Sequence, residues 1–275
     1  QGGRSDIPVL TTWAVGGPAL TDIWCTGLGW DAGIFWVSGS DFDGNSSNGS
    51  GDNGIYFYDE AGTYLGGFAQ PTQDTWGWRD SGYNGDHLMY GASSPHSGQI
   101  FWVNANTLAV EFTVSGCPLS TCRALAITSD LGGFVEYSVS DFSSSIYKML
   151  WQVGNTPAQQ LSSCSAPATG PYGFAYDSSN SSLWMTTASS TGELYNLDLA
   201  SCSVNALYSI QPEILTFGGA AMAQTSHGCN LWVMCQCDPT DAVFGLQTGG
   251  DNPFACSSTP VEPASWGSIK AQYND

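Results

Sequence analysis

Between Trp76 and Val114 the chain alternates four short runs of aromatic and β-branched residues with clusters of turn residues. The runs are Trp78–Tyr83, Leu88–Tyr90, Gln99–Val103 and Val110–Val114, and Asn84-Gly85-Asp86 and Asn104-Ala105-Asn106 lie between them. Apolar runs of this length, bounded by Asn, Asp and Gly, have the chemistry of strands joined by tight hairpins. The stretch therefore predicts a four-stranded up-and-down sheet. Such a sheet has two apolar faces and covers neither by itself, so it needs copies to pack against.

Four further copies follow the same order. Residues Trp30–Phe68, Ala124–Leu161 and Gly173–Tyr208 each hold four strand-like runs, and a fifth copy starts at Gly219–Ala223 and continues through Leu231–Met234 and Val243–Leu246. With the end of each first strand as marker (Asp31, Asn84, Thr128, Asp177, Gln224), the repeat is about 44 to 53 residues long, the period of propeller blades with loop insertions. The prediction is an all-β chain forming a single β-propeller domain of four-stranded blades, five in number. Six is the alternative, if the two ends build a composite blade. The expected division is residues 1–19 as a closing or exchanged strand, blades at 20–70, 71–116, 117–164, 165–212 and 213–262, and a tail strand at 263–275. Ile7–Val15 is expected to complete the last blade, which removes exposed sheet edges. Ser265–Gln272 also reads as a strand, either the outer strand of the fifth blade or a segment docked elsewhere, including on a neighbouring copy.

Charge narrows the function classes. Twenty-four Asp and Glu against five Lys and Arg give a formal net charge of -19. Such a surface repels phosphate backbones and excludes nucleic acid as a partner. No apolar run reaches the roughly 18 residues of a membrane helix, so no membrane span is expected. With only 11% charged residues, the polar surface is mostly Ser, Thr, Asn and Gly, which suits a protein exposed outside the cell. No signal-peptide pattern stands at the start, so Gln1 is expected to be the first residue after cleavage.

Nine cysteines support a secreted, extracellular or cell-surface location. Cys117 and Cys122 bracket a turn between two blades, and Cys164 and Cys202 lie near the two ends of another. Disulfides Cys117–Cys122 and Cys164–Cys202 are predicted. Cys229, Cys235 and Cys237 have the composition of a zinc cluster, but Cys235 and Cys237 alternate to opposite faces of a strand, which disfavours shared ligation. Cys25 and Cys256 remain to join the start of the chain to its end, with one cysteine left over.

The longest insertion, residues 38–54, is too polar to pack. Asp41, Asp43, Asn45 and Asp52 occupy positions 1, 3, 5 and 12 of an EF-hand-like loop, where alternating oxygens converge on calcium. Its glycine stands at position 4 instead of 6, and the twelfth ligand is the shorter Asp. The same loop carries glycosylation sequons at Asn45 and Asn48, and a third lies at Asn180 in a hairpin turn. A glycan on Asn45 and calcium ligation by Asn45 exclude each other.

Candidate chemistry is sparse. His87, His96 and His227 fall in hairpin turns at unrelated repeat positions, read as surface sites. There is no Gly-x-Ser-x-Gly elbow and no HExxH. Asp80, Asp130 and Asp177 lie near inner strands, where they either face one another across the ring as paired carboxylates or cap turns. Arg79 and Arg123, two of three arginines, occur at the start of successive inner strands, placed either to clamp a carboxylated sugar at the channel mouth or to pair with a neighbouring Asp such as Asp22 or Asp80. Trp24, Trp76 and Trp78 precede inner strands and are candidate stacking platforms for sugar rings. Trp36, Trp102, Trp184 and Trp232 recur at one blade position and are core.

Gly170–Asp177, Leu183–Thr186 and Gly192–Asp198 together resemble the repeat of the NHL, YncE and streptogramin-lyase group of β-propellers. Trp78–Gly85 is similar to the related repeat of secreted bacterial propellers. The resemblance implies architecture more than activity, because that group contains both enzymes and binding scaffolds. Streptogramin lyases use a histidine-centred metal site, and no histidine here falls in a matching repeat. The expected function is an extracellular binding or structural module, glycan-binding or self-assembling through a terminal strand into a homo-oligomer or filament, with a glycan or extracellular protein as partner. The alternative is a polysaccharide lyase or glycoside hydrolase working at the channel mouth.

Overall fold

The structure is a computed structural model and describes residues 5–16, 25–31, 33–40, 53–72, 74–188, 192–210, 217–226, 228–236 and 240–248. Two strands, β1 (Ser5–Asp6) and β2 (Val9–Ala14), precede the first blade. That blade is β3 (Gly27–Asp31), β4 (Ile34–Ser38), β5 (Gly54–Asp59) and β6 (Tyr64–Ala69). The second is β7 (Ser81–Tyr83), β8 (His87–Gly91), β9 (Ile100–Asn104) and β10 (Val110–Val114). The third holds β11 (Ala124–Asp130), β12 (Phe134–Ser140), β13 (Ser145–Gln152) and β14 (Gln159–Ser165), and the fourth β15 (Pro171–Asp177), β16 (Ser182–Thr187), β17 (Glu193–Asp198) and β18 (Val204–Ser209). The fifth is β19 (Phe217–Thr225), β20 (Gly228–Cys235) and β21 (Ala242–Leu246).

Within each blade, neighbouring strands pair antiparallel in sequence order. The inner strands touch in the cyclic order β3, β7, β11, β15, β19 and back to β3, so the ring closes on five blades and not six. Closure follows the expected device: β2 adds antiparallel to β21, with Thr12 opposite Phe244. The outer place of the fifth blade is therefore taken by the N-terminal strand. Just upstream, β1 pairs in parallel with β18, so one short segment ties the fourth blade to the fifth. Ser265–Gln272 lies outside the described residues.

The reason for near-continuous apolar strands is visible in the packing. Side chains alternate between the two faces of a strand, and in a propeller both faces meet another blade. On β9, Phe101 and Val103 join the core shared with the first blade, while Ile100 and Trp102 join that shared with the third. On β4, Ile34 and Trp36 face the second blade, and Phe35 and Val37 face the fifth. Each large side chain so buried contributes about 1.5–3 kcal/mol. Trp36, Trp102, Trp184 and Trp232 are all buried core residues, as their repeat position requires.

Cys164, on outer strand β14, is disulfide-bonded to Cys202, in the hairpin after β17. The bond fastens the third blade to the fourth and closes a 38-residue separation. No helix among the described residues is long and apolar enough to cross a membrane.

Candidate ligand site at the channel mouth

All five inner strands run the same way along the central axis, and the residues just before or at their starts form one mouth. Asp80 stands beneath it. Its carboxylate is fully buried and accepts backbone N–H groups from three other blades: Leu125 at 3.1 Å, Phe174 at 2.7 Å and Ala220 at 3.1 Å. The Ser81 backbone donates as well. Burial pushes its pKa well above the carboxylate range, against the pull of these four donors. The close approach needs glycine on the facing strands. A Cβ on Gly219 would collide with Asp80 Oδ1 and the Leu28 backbone N, and one on Gly27 with the Arg79 carbonyl. Beyond Asp80 the axis holds a cavity of about 30 Å³ lined by Trp30, Tyr83, Phe174, Tyr176 and Met222. Asp80 thus plugs the channel. It is not one of a facing pair of carboxylates, because Asp130 and Asp177 sit at the other ends of their strands and cap turns through Gly132 N at 3.0 Å and Ser179 N at 3.0 Å.

On the mouth side, the two arginines converge. Arg79 is 1% exposed. Its Nη1 donates to the Tyr172 hydroxyl at 3.5 Å, its Cζ lies 5.8 Å from the Trp76 ring centroid, and among the described residues its buried Nε has no hydrogen-bond partner. Burial lowers its pKa to about 10; Tyr172 raises it and the nearby positive charge of Arg123 lowers it further. Arg123 is partly exposed, with its Cζ 3.7 Å from the Phe142 ring centroid. Tyr172, from the fourth blade, also accepts Gln236 Nε2 at 3.3 Å, and Gln236 reaches the Cys25 carbonyl at 3.3 Å. Among the described residues, neither arginine lies within ion-pair distance of a carboxylate.

Four blades therefore build the mouth: Trp76 and Arg79 from the second, Arg123 and Phe142 from the third, Tyr172 from the fourth and Gln236 from the fifth. Two guanidinium groups, a hydroxyl that already accepts two hydrogen bonds and so is left to donate its own proton, and three aromatic rings suit an anion on a body with an apolar face. Three of the expected candidates, Arg79, Arg123 and Trp76, lie together here. Sequence reading missed Tyr172, which stands at the same blade position as the arginines, and Gln236, which follows an otherwise apolar strand.

Other expected site residues fall elsewhere. Trp78 is fully buried with its ring against Phe101 at 5.0 Å and Tyr90 at 5.1 Å, leaving no face for a sugar. The cause is that β7 is three residues long and Trp78 precedes it, turned into the core between blades one and two. Trp24, Asp41, Asp43, Asn45, Asn48, Asp52, Cys237, Cys256 and His227 lie outside the described residues. Asn180 is exposed in the turn before β16. Cys117 and Cys122 bring their sulfurs to 2.8 Å, in contact but longer than a covalent bond, and Cys235 is itself in a disulfide. His87 is not a free surface side chain: it stacks on Trp102 at 4.8 Å between Asp86 at 2.6 Å and Glu111 at 3.0 Å. His96 contacts the buried Asp74 at 2.5 Å.

No family model matches the chain, and no curated protein matches it. Among solved structures it is similar to the glutaminyl cyclase of Myxococcus xanthus, with 11% identity, a TM-score of 0.62, and coverage of 90% of this chain and 99% of that one. It is also similar to a chain of a nidogen/laminin complex, with 15% identity, a TM-score of 0.49, and coverage of 77% and 72%. The chain is a five-bladed β-propeller. At such identity the likeness to the cyclase is one of fold alone.

Proposed function

We propose that this propeller is an extracellular binding module that holds an anionic group of a glycan at the Arg79/Arg123 mouth. One observation carries the reading. In a chain of net charge -19 with five cationic side chains, two are gathered at one point, one of them buried with an Nε that meets no hydrogen-bond partner among the described residues. Among the described residues, which do not include Asp22, no carboxylate pairs with it; a buried guanidinium so placed costs stability, which a ligand anion offsets. The propeller scaffold is consistent with a binding or structural module, and kinship with the NHL, YncE and streptogramin-lyase group belongs to the same proposal. So do calcium in the loop at Asp41, Asp43, Asn45 and Asp52, the competing glycans at Asn45 and Asn48, and a Cys117–Cys122 disulfide, which intact mass before and after reduction checks.

Calorimetric titration with uronic-acid oligosaccharides and their neutral counterparts tests the reading. Acidic glycans are expected to bind, more weakly as salt rises, and neutral ones are not. Arg123→Met is expected to lower affinity at least tenfold without unfolding the chain. Equal binding of acidic and neutral glycans, or none of either, overturns the reading. Steady product release that Arg79→Met abolishes replaces it with the lyase or hydrolase alternative.

A further inference from the structure

Resting on that reading, we infer that the mouth recognises the terminal uronate of an acidic glycan and not an internal one. The site is blind. Asp80 and its converging N–H donors from the third, fourth and fifth blades close the axis immediately below. A polymer does not thread this channel.

The walls argue the same way. Trp76, Phe142 and Tyr172 stand around the guanidinium groups, with the Phe142 ring 5.5 Å from that of Tyr172. Arg79 lies almost wholly below the surface while Arg123 is at the rim, so a carboxylate meets Arg123 first, beside the Phe142 ring. An internal sugar carries a glycosidic link on each side, and these links meet the walls. A chain end has one link, which leaves upward.

The main chain at the mouth favours a sugar over a peptide terminus. A peptide docks through backbone hydrogen bonds to an open edge, and here those groups are occupied. The Arg123 carbonyl accepts Asp80 N at 3.2 Å, the Thr26 carbonyl accepts Gly219 N at 2.9 Å, the Trp78 and Arg79 carbonyls accept Thr26 Oγ1 and Ser38 Oγ at 3.3 and 3.2 Å, and the Gly218 carbonyl accepts Thr186 Oγ1 at 2.7 Å. Among the described residues, the mouth offers guanidinium, hydroxyl and aromatic faces.

The experiment compares three glycan probes on the full chain by calorimetry, with a peptide acid and its amide as controls: a methyl hexuronide, a uronate trisaccharide, and the same trisaccharide with only its terminal carboxylate reduced to the alcohol. The hexuronide is expected to bind within about threefold of the trisaccharide, and reduction of the terminal carboxylate to weaken binding at least tenfold. Arg79→Met, checked for an unchanged thermal transition, should erase that difference. If the end-reduced trisaccharide binds as well as the intact one, end recognition is wrong while anion binding stands. If no uronate probe binds, both fall. If a peptide acid binds where its amide and all uronates do not, the ligand is a peptide terminus and the inference is overturned.

Discussion

The two ends of the central axis are built from the same strand repeat and treat charge in opposite ways. At the end where the strands finish, carboxylates are satisfied within the fold: Asp130 takes Gly132 N and Asn84 Nδ2, and Asp177 takes the Ser179 backbone. At the end where they begin, two guanidinium groups converge with no carboxylate in ion-pair distance among the described residues. Satisfied polar groups hold a turn, whereas unsatisfied ones store binding potential at a cost in stability. Asp80 separates the two regimes.

The largest effect is expected at that divider. Asp80→Ala leaves four inward backbone N–H groups without an acceptor, and at about 1–3 kcal/mol for each orphaned buried group the loss is on the order of 4 kcal/mol or more. Chemical denaturation measures it, and a change below about 1 kcal/mol would show that the plug does not tie the blades. Next comes the bond between blades three and four. Cys164→Ser is expected to remove roughly 3–4 kcal/mol, the loop-closure value for its separation, seen as a lowered Tm that added reductant no longer affects through this bond.

The far end of the axis carries a pH dependence. Burial raises the pKa of Asp31 to about 6, against the pull of the Tyr83 hydroxyl, above the ordinary 3.8. A folded pKa above the unfolded one means stability that is fully present below about 3.8 and lost as pH rises through about 6. Asp31→Asn should therefore flatten the stability curve between pH 4 and 7 and gain up to roughly 3 kcal/mol at pH 7 relative to the native chain. Asp80 is shifted in the same direction, so the difference between the two proteins, and not the native curve alone, is the measurement. An unchanged slope would show that Asp31 does not titrate in that window.

The smallest stability effect is expected at the mouth. Arg79→Met replaces an incompletely bonded buried cation by a side chain of similar length, so stability should change by less than about 1 kcal/mol or rise, while acidic-glycan binding is lost. A large destabilisation would mean that Arg79 belongs with the structural carboxylates, and the contrast between the two ends would disappear.

Much of the architecture was legible because it depends on short periods. Alternation along β4 and β9, tryptophan at one blade position, and a repeat set by hairpin turns gave five blades and their closure by the Val9–Ala14 strand. Arg79 and Arg123 were legible as candidates through their shared position in the repeat. Trp78 was misread because its inner strand begins three residues later than the aromatic run suggests.

What the sequence by itself determined is the blade, since side-chain alternation and turn chemistry act between residues close along the chain. Only the tertiary structure decided which of three similar aspartates enters the axis and which groups join the arginines. Asp80 meets Ala220 across 140 residues, and Arg79 meets Tyr172 across 93. Those distances are fixed by how many blades close the ring and by how near glycines let the inner strands approach. Neither is written in any one repeat.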